Sequence, residues 1–135
     1  MKVERLDHIV FAVGDMNAAL QDWAGAFEFA ADGPERPAGT HMELAFLRLG
    51  DNFMELVQAT TPGHRVAKHV GEVGEGMFSI SLEVADLDAA VRELRGKDMP
   101  VSDPEAGVLP NTRVARIPRA KAHGVAIQLI ERKRT

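Results

Sequence analysis

The sequence predicts an α+β fold: paired βαβββ modules, eight strands in all, forming a half-open cup. Three observations predict it. The stretch LDHIVFAVGDMNAAL, Leu6 to Leu20, is echoed by MFSISLEVADLDAAV, Met77 to Val91, at a constant offset of 71 positions. Each copy starts with period-two alternation, passes a Gly-Asp or Ala-Asp turn and continues as an amphipathic helical segment, the pattern of strand, turn and helix. Each copy is then followed by two alternating runs, and two such units cannot each bury both faces of their sheet. Helices cover one face, and the other faces curl toward each other around a cavity.

The elements follow in order. Asp15 and Asp86 stand where a helix N-cap accepts a backbone N–H, just before helix-favouring alanines. In the first half HMELAFLRLG and NFMELVQA flank Gly50-Asp51, a hairpin signal. In the second half TRVARIP and GVAIQLIER flank a looser connection at RAKAH, and one more short strand is expected within 28–38 and within 99–110. The Gly/Pro-rich runs ADGPERPAGT and SDPEAGVLPNT read as loops. Between the halves, TTPGHRVAKHVGEVGEG combines a turn with a short helical piece around Val66 to Val70. One domain over 1–135 is expected, with module one at about 1–62 and module two at about 76–135.

Composition narrows the classes of function. The chain has 135 residues, 45% of them hydrophobic, enough for one compact core. The formal charge is −4 and no basic stripe with interleaved aromatics occurs, so nucleic acid is not an expected partner; the basic end RKRT reads as a solvated tail. The absence of cysteine excludes disulfides, thiolate metal sites and a cysteine nucleophile. No signal-peptide core or membrane-length apolar run is present, so a cytoplasmic protein without a membrane partner is the expectation.

Alternation assigns faces. Ile9, Phe11 and Val13 belong under the first helix, leaving His8, Val10 and Ala12 on the other face. In the second copy Ile80, Leu82 and Val84 take the helix side, and Ser79, Ser81 and Glu83 face the cavity. Glu55 and Gln128 occupy matching positions in the last strands, opposite Met54 and Leu56 and opposite Ile127 and Leu129. Equivalent positions thus give His8, Glu55, Ser79 and Gln128, with Glu43 on the same side if its hairpin is in register. Glu83 reads as a carboxylate solvated or paired with Arg113 or Arg116, with the role of a substitute base as the alternative. His41, His64, His69 and His123 fall in turns or helix-prone surface sequence and are expected to face solvent. Trp23, Phe27 and Phe29, and the scattered Met16, Met42, Met54, Met77 and Met99, read as core packing.

The paired modules, the LDHIVFAV opening and the FMELV strand resemble the vicinal oxygen chelate superfamily of glyoxalases, bleomycin-resistance proteins and extradiol dioxygenases. Within it the segments AFLRLGDNFMELVQATTPGHRVAKHV, GEGMFSISLEVADLDAAVRELRGKDMPV and RVARIPRAKAHGVAIQLIE look most like methylmalonyl-CoA epimerases. The resemblance implies a glyoxalase-like fold and a divalent metal, Co, Ni, Zn or Mn, held by the first and last strands of each module. Here those positions are His8, Glu55, Ser79 and Gln128. His8 and Glu55 match ligand types of the family, Gln128 keeps only a carbonyl oxygen, and Ser79 replaces an imidazole with a hydroxyl, so the metal set His8, Glu55 and Gln128 is a reduced one. A bland alternative for His8 is a hydrogen bond to Glu55.

The resemblance also implies proton transfer next to a carbonyl, by an isomerase or lyase acting on a small acyl-CoA or oxo substrate. Two bases serve such an epimerisation. One maps onto Gln128, which cannot take a proton; the other maps onto Glu43, the candidate catalytic residue. Arg116, Arg119 and Lys121 could meet the phosphates of a CoA-like ligand, or could be plain surface charge. The alternative function is a metal-free, non-catalytic small-molecule binder of the bleomycin-resistance type. A homodimer is expected, because such modules expose sheet edges.

Overall fold

The computed structural model describes residues 1–133. The chain divides into two compact units, one formed by residues 8–78 and the other by residues 1–7 with 79–135. Each unit carries a four-stranded mixed sheet of the same topology.

The first unit contains the second half of β1 (Val3–Ala12, from His8 onward), α1 (Met16–Leu20), β2 (Ala31–Glu35), β3 (Met42–Leu49), β4 (Asn52–Ala59) and α2 (Arg65–Glu72). Its strand order is β2-β3-β4-β1, with β1 parallel to β4 and the other pairs antiparallel. The predicted hairpin closes with Leu49 opposite Asn52, and Gly50 takes a positive φ of 59° in the two-residue loop, where a side chain would be strained. Strand β2 is the extra strand expected within 28–38.

Alternation sorts this unit's apolar residues onto two faces, as the sequence predicts. Phe11, Val13, Ala45, Leu47, Met54 and Leu56 pack with Met16, Ala19, Leu20 and Trp23 from the helical side. Val10, Ala12, Met42, Leu44 and Val57 pack on the opposite face beneath Val66 and Val70 of α2. The first helix departs from the simple amphipathic pattern: after Leu20 it widens into a π-helical stretch, Gln21–Ala26, in which Phe27 N–H donates to Asp22 O at 2.8 Å. The altered turn carries Phe27 off the apolar face. It is 61% exposed and touches Trp23 edge-on at 5.5 Å, in place of the core position expected for it. Met77 likewise departs from the core reading at 50% exposure, whereas Met16, Met42 and Met54 are buried.

The second unit contains β5 (Gly76–Val84, from Ser79 onward), α3 (Leu87–Gly96), β6 (Glu105–Ala106), β7 (Thr112–Ile117) and β8 (Ala126–Arg132), in the order β5-β8-β7-β6. Here β5 is parallel to β8, and a 3₁₀ turn, Arg119–Lys121, occupies the looser connection. Leu87, Ala90 and Val91 of α3 pack with Val84, Ala115, Ile117 and Leu129. The basic end is not wholly a solvated tail: Arg132 is the last residue of β8 and binds Asp7 through two hydrogen bonds of 2.6 and 2.8 Å. Residues 134 and 135 of that end lie outside the described residues. No helix among the described residues is long and apolar enough to cross a membrane.

The internal repeat extends to the helix caps. Asp15 Oδ1 accepts from Ala18 N–H at 3.1 Å and Asp86 Oδ1 from Ala89 N–H at 3.0 Å, both from extended backbone. Asp86→Ala removes the side-chain partner of the Ala89 amide and is expected to cost about 1 kcal/mol. Thermal melting should show a fall of about 3 °C, and Asp86→Asn should restore most of it.

Candidate functional site

The central parallel pair positions the chemically interesting residues of the first unit. Opposite residues in a parallel pair share a face, and here His8 lies opposite Phe53 while Val10 lies opposite Glu55. His8, Val10, Phe53 and Glu55 therefore stand on the face covered by α2. The His8 imidazole is buried and stacks on Phe53, ring centres 4.6 Å apart at 13°, and Phe46 closes on Phe53 edge-first at 5.7 Å. Glu55 is buried on the same face, opposite Phe46 on its β3 side.

Burial sets the proton affinity of Glu55. Withdrawal from water disfavours its charged form and raises its pKa above the ordinary 4.5; the charges of His8 and Arg65 act in the other direction without cancelling it. Helix α2 brings further polar groups to this face. Arg65 lies 5.9 Å from the Phe78 ring centre, and the His69 ring meets Phe78 at 5.0 Å. His69 is buried, contrary to the solvent-facing position expected for it, because α2 turns its inner stripe of Val66, His69 and Val70 onto the sheet.

Glu43 is on the other face. The hairpin register pairs it with Gln58, whereas Glu55 is paired with Phe46, three residues away from Glu43 and hence of opposite parity. The shared side expected for Glu43 and Glu55 is thus corrected. Glu43 accepts from Arg36 Nε at 2.7 Å, and its neighbour Gln58 accepts the Met16 N–H at 2.7 Å, which fixes the start of α1.

In the second unit the register repeats and the chemistry changes. Ser79 lies opposite Ala126, and Ser81, Gln128 and Arg116 form one row across β5, β8 and β7. Ser81 is fully buried and its Oγ accepts from Gln128 Nε2 at 2.9 Å. Ser81 thus stands where the first unit has Val10, and Gln128 where it has Glu55. Arg116 is ion-paired with Glu105, and Arg119 and Lys121 lie on the 3₁₀ turn. Glu83 is buried and paired with Arg5 Nε at 2.6 Å, in place of the expected Arg113 or Arg116; Arg113 binds Asp88 and Glu131 instead. The Asp7–Arg132 pair joins residues 125 apart and has no signal in local sequence.

The side chains present do not fit a divalent metal. Of the four positions that the resemblance assigns, the first unit supplies an imidazole and a carboxylate, and the second supplies a hydroxyl and an amide whose N–H₂ end is directed at Ser81. One carboxylate opposes two positive charges, and a neutral hydroxyl is a weak donor. Among the described residues no three His, Asp or Glu side chains gather as a metal-holding group.

Comparison with known proteins agrees with this architecture. The family model described as Glyoxalase/Bleomycin resistance protein/Dioxygenase superfamily matches residues 7–115. Among solved structures, a hypothetical protein of Bacillus halodurans C-125 matches with a TM-score of 0.88 at 25% identity, covering 97% of this chain and 96% of that one. Methylmalonyl-CoA epimerase of Mycobacterium tuberculosis matches with a TM-score of 0.86 at 25% identity, covering 98% and 90%. A variant of the Streptomyces coelicolor methylmalonyl-CoA epimerase, in complex with 2-nitronate-propionyl-CoA, matches with a TM-score of 0.87 at 25% identity, covering 97% and 96%. With two βαβββ modules of identical strand order and a family match over most of its length, the chain has the glyoxalase-like α+β fold and belongs to the glyoxalase/bleomycin resistance protein/dioxygenase superfamily.

Proposed function

We propose that this protein transfers a proton at the carbon next to the carbonyl of a small acyl-CoA or oxo substrate, as an isomerase of the epimerase type or a lyase, with Glu55 as the base. The observation that carries this reading is a buried carboxylate of raised proton affinity set beside a buried imidazole. A carboxylate of ordinary pKa is a poor match for a carbon acid, and burial improves the match. Glu55 takes the α-proton, and the C–H electron pair becomes the C=C bond of an enolate whose charge rests on the former carbonyl oxygen. Return of a proton to the opposite face inverts the carbon, and return to the same face leaves isotope exchange without inversion. His8, held flat against Phe53 and within charge reach of Glu55, is the second proton-handling group. The likeness to the two methylmalonyl-CoA epimerases supports the substrate class.

A second reading is a metal-free binder that does no chemistry. The neutral Ser81–Gln128 pair favours it, because it engages Gln128 in a hydrogen bond at a position where the resemblance would put a glutamate ligand.

Deuterium uptake at the α-carbon of methylmalonyl-CoA in D₂O separates the two. Exchange should be catalysed by the native chain, should fall by about a hundredfold or more in Glu55→Gln, and should stay near the native rate in Glu43→Gln. Stoichiometric binding without exchange in the native chain would establish the binder instead.

Glu55→Gln should also stabilise the chelator-treated protein. The raised pKa means that ionising Glu55 costs stability, a cost absent below the unfolded value near 4.5 and developed as pH rises through the folded one. The variant should therefore melt higher at pH 7.5 and gain little at pH 4. Co²⁺ added to stripped protein should give neither d–d absorption nor a rise in melting temperature; a stoichiometric signal lost in His8→Ala would restore a metal-assisted route.

A further inference from the structure

We infer that His64 is a pH-sensitive pin that holds the first turn of α2 closed while its imidazole is neutral and releases that turn when the imidazole is protonated. His64 is the N-cap of α2, with extended backbone at φ −68° and ψ 145°. Its Nδ1 accepts the Val66 N–H at 3.1 Å, and its own carbonyl accepts the Lys68 N–H at 3.1 Å. An imidazole caps a helix in this way only as the tautomer with Nδ1 unprotonated, which puts the ring proton on Nε2. From the loop before β3 the Thr40 backbone acts on the same ring, favouring its protonated form. That loop is tightly built: Thr40 Oγ1 donates to Pro37 O at 2.7 Å, and His41 takes a left-handed φ of 56°.

Protonation removes the cap in two ways. Nδ1 becomes a donor facing another donor, the Val66 N–H, and a full positive charge arrives at the positive end of the helix. The charged and titratable groups acting on the ring are Arg65 from α2 and His41 from the loop before β3, and both repel the added proton. Together with partial burial, the largest influence, they hold the His64 pKa below its ordinary 6.5, against the opposing pull of the Thr40 backbone. A histidine depressed in the folded state contributes stability that is fully present above 6.5 and is lost as pH falls through the folded value.

The release has a defined reach. Arg65 directly follows the cap, and its charge acts on Glu55. Val66, next in line, is buried in the core beneath α2. Opening the turn therefore moves a cation away from the buried carboxylate in mildly acidic solution and leaves the rest of the sheet in place.

Amide exchange followed by NMR on the whole chain tests this, with rates expressed as protection factors so that intrinsic pH dependence cancels. The Val66 amide should lose about fivefold or more of its protection between pH 7.5 and pH 5, while Leu56 and Leu129 in the sheets change little. In His64→Asn, whose side chain caps without titrating, the Val66 protection should stay flat. A flat native profile, or the same fall in His64→Asn, overturns the inference. The His64 ring resonance gives a check that needs no capping variant: its midpoint should lie below 6.5 and rise in His41→Gln, and a native midpoint at or above 6.5 overturns the inference as well.

Discussion

The parallel pairing of first and last strand in each unit is the constraint on which the other features depend. Parallel neighbours cannot be joined by a tight turn, and in each unit the crossover runs through a helix and two further strands before returning. That return fixes which residues face which side, because opposite residues in the pair share a face. Val10 with Glu55 and Ser81 with Gln128 are the same register position in the two units. The buried carboxylate of the first unit and the neutral hydrogen-bonded pair of the second both stand at that one position.

The two copies of this frame have diverged in electrostatic character. In the first, a carboxylate and an imidazole are buried among phenylalanines, an arrangement that costs desolvation and tunes proton affinity. In the second, a serine and a glutamine satisfy one another by a neutral hydrogen bond, and the ionic groups Asp7, Arg132, Arg5 and Glu83 neutralise each other in pairs. The first copy retains a group able to exchange protons, and the second retains groups able to donate and accept hydrogen bonds. The duplicated scaffold thus carries a buried ionisable pair in one copy and a neutral hydrogen-bonded pair in the other.

Much of the frame was legible in the sequence because it rests on periodicity. The repeat, the two N-capping aspartates, the Gly50-Asp51 hairpin and the faces of β1 and β5 follow from alternation and turn chemistry, which act over a few residues. The placement of Glu43 was misread although its information was present. The hairpin closing at Leu49 and Asn52 fixes the parity of every pair, and counting from it sends Glu43 to the side of Gln58. His69 was misread for a different reason: α2 is short and polar overall, and only its docking on the sheet decides that one histidine points inward. The exposure of Phe27 follows from the π-helical turn, for which residues 21–26 carry no local signature. The partners of Glu83 and Arg132 come from the chain's first seven residues, and pairings at such separation leave no trace in a short window.

That last feature bears on how the molecule is made. Asp7 and Arg132 are 125 residues apart, and the unit they tie together draws on both ends of the chain. The unit of residues 8–78 uses one contiguous stretch and has all of its strands once that stretch is synthesised. Arg5 meets its ionic partner Glu83 once β5 is made, whereas Asp7 meets Arg132 only after β8 has left the ribosome. During synthesis the contiguous stretch of residues 8–78 is therefore complete well before the Asp7–Arg132 pair can close the other unit.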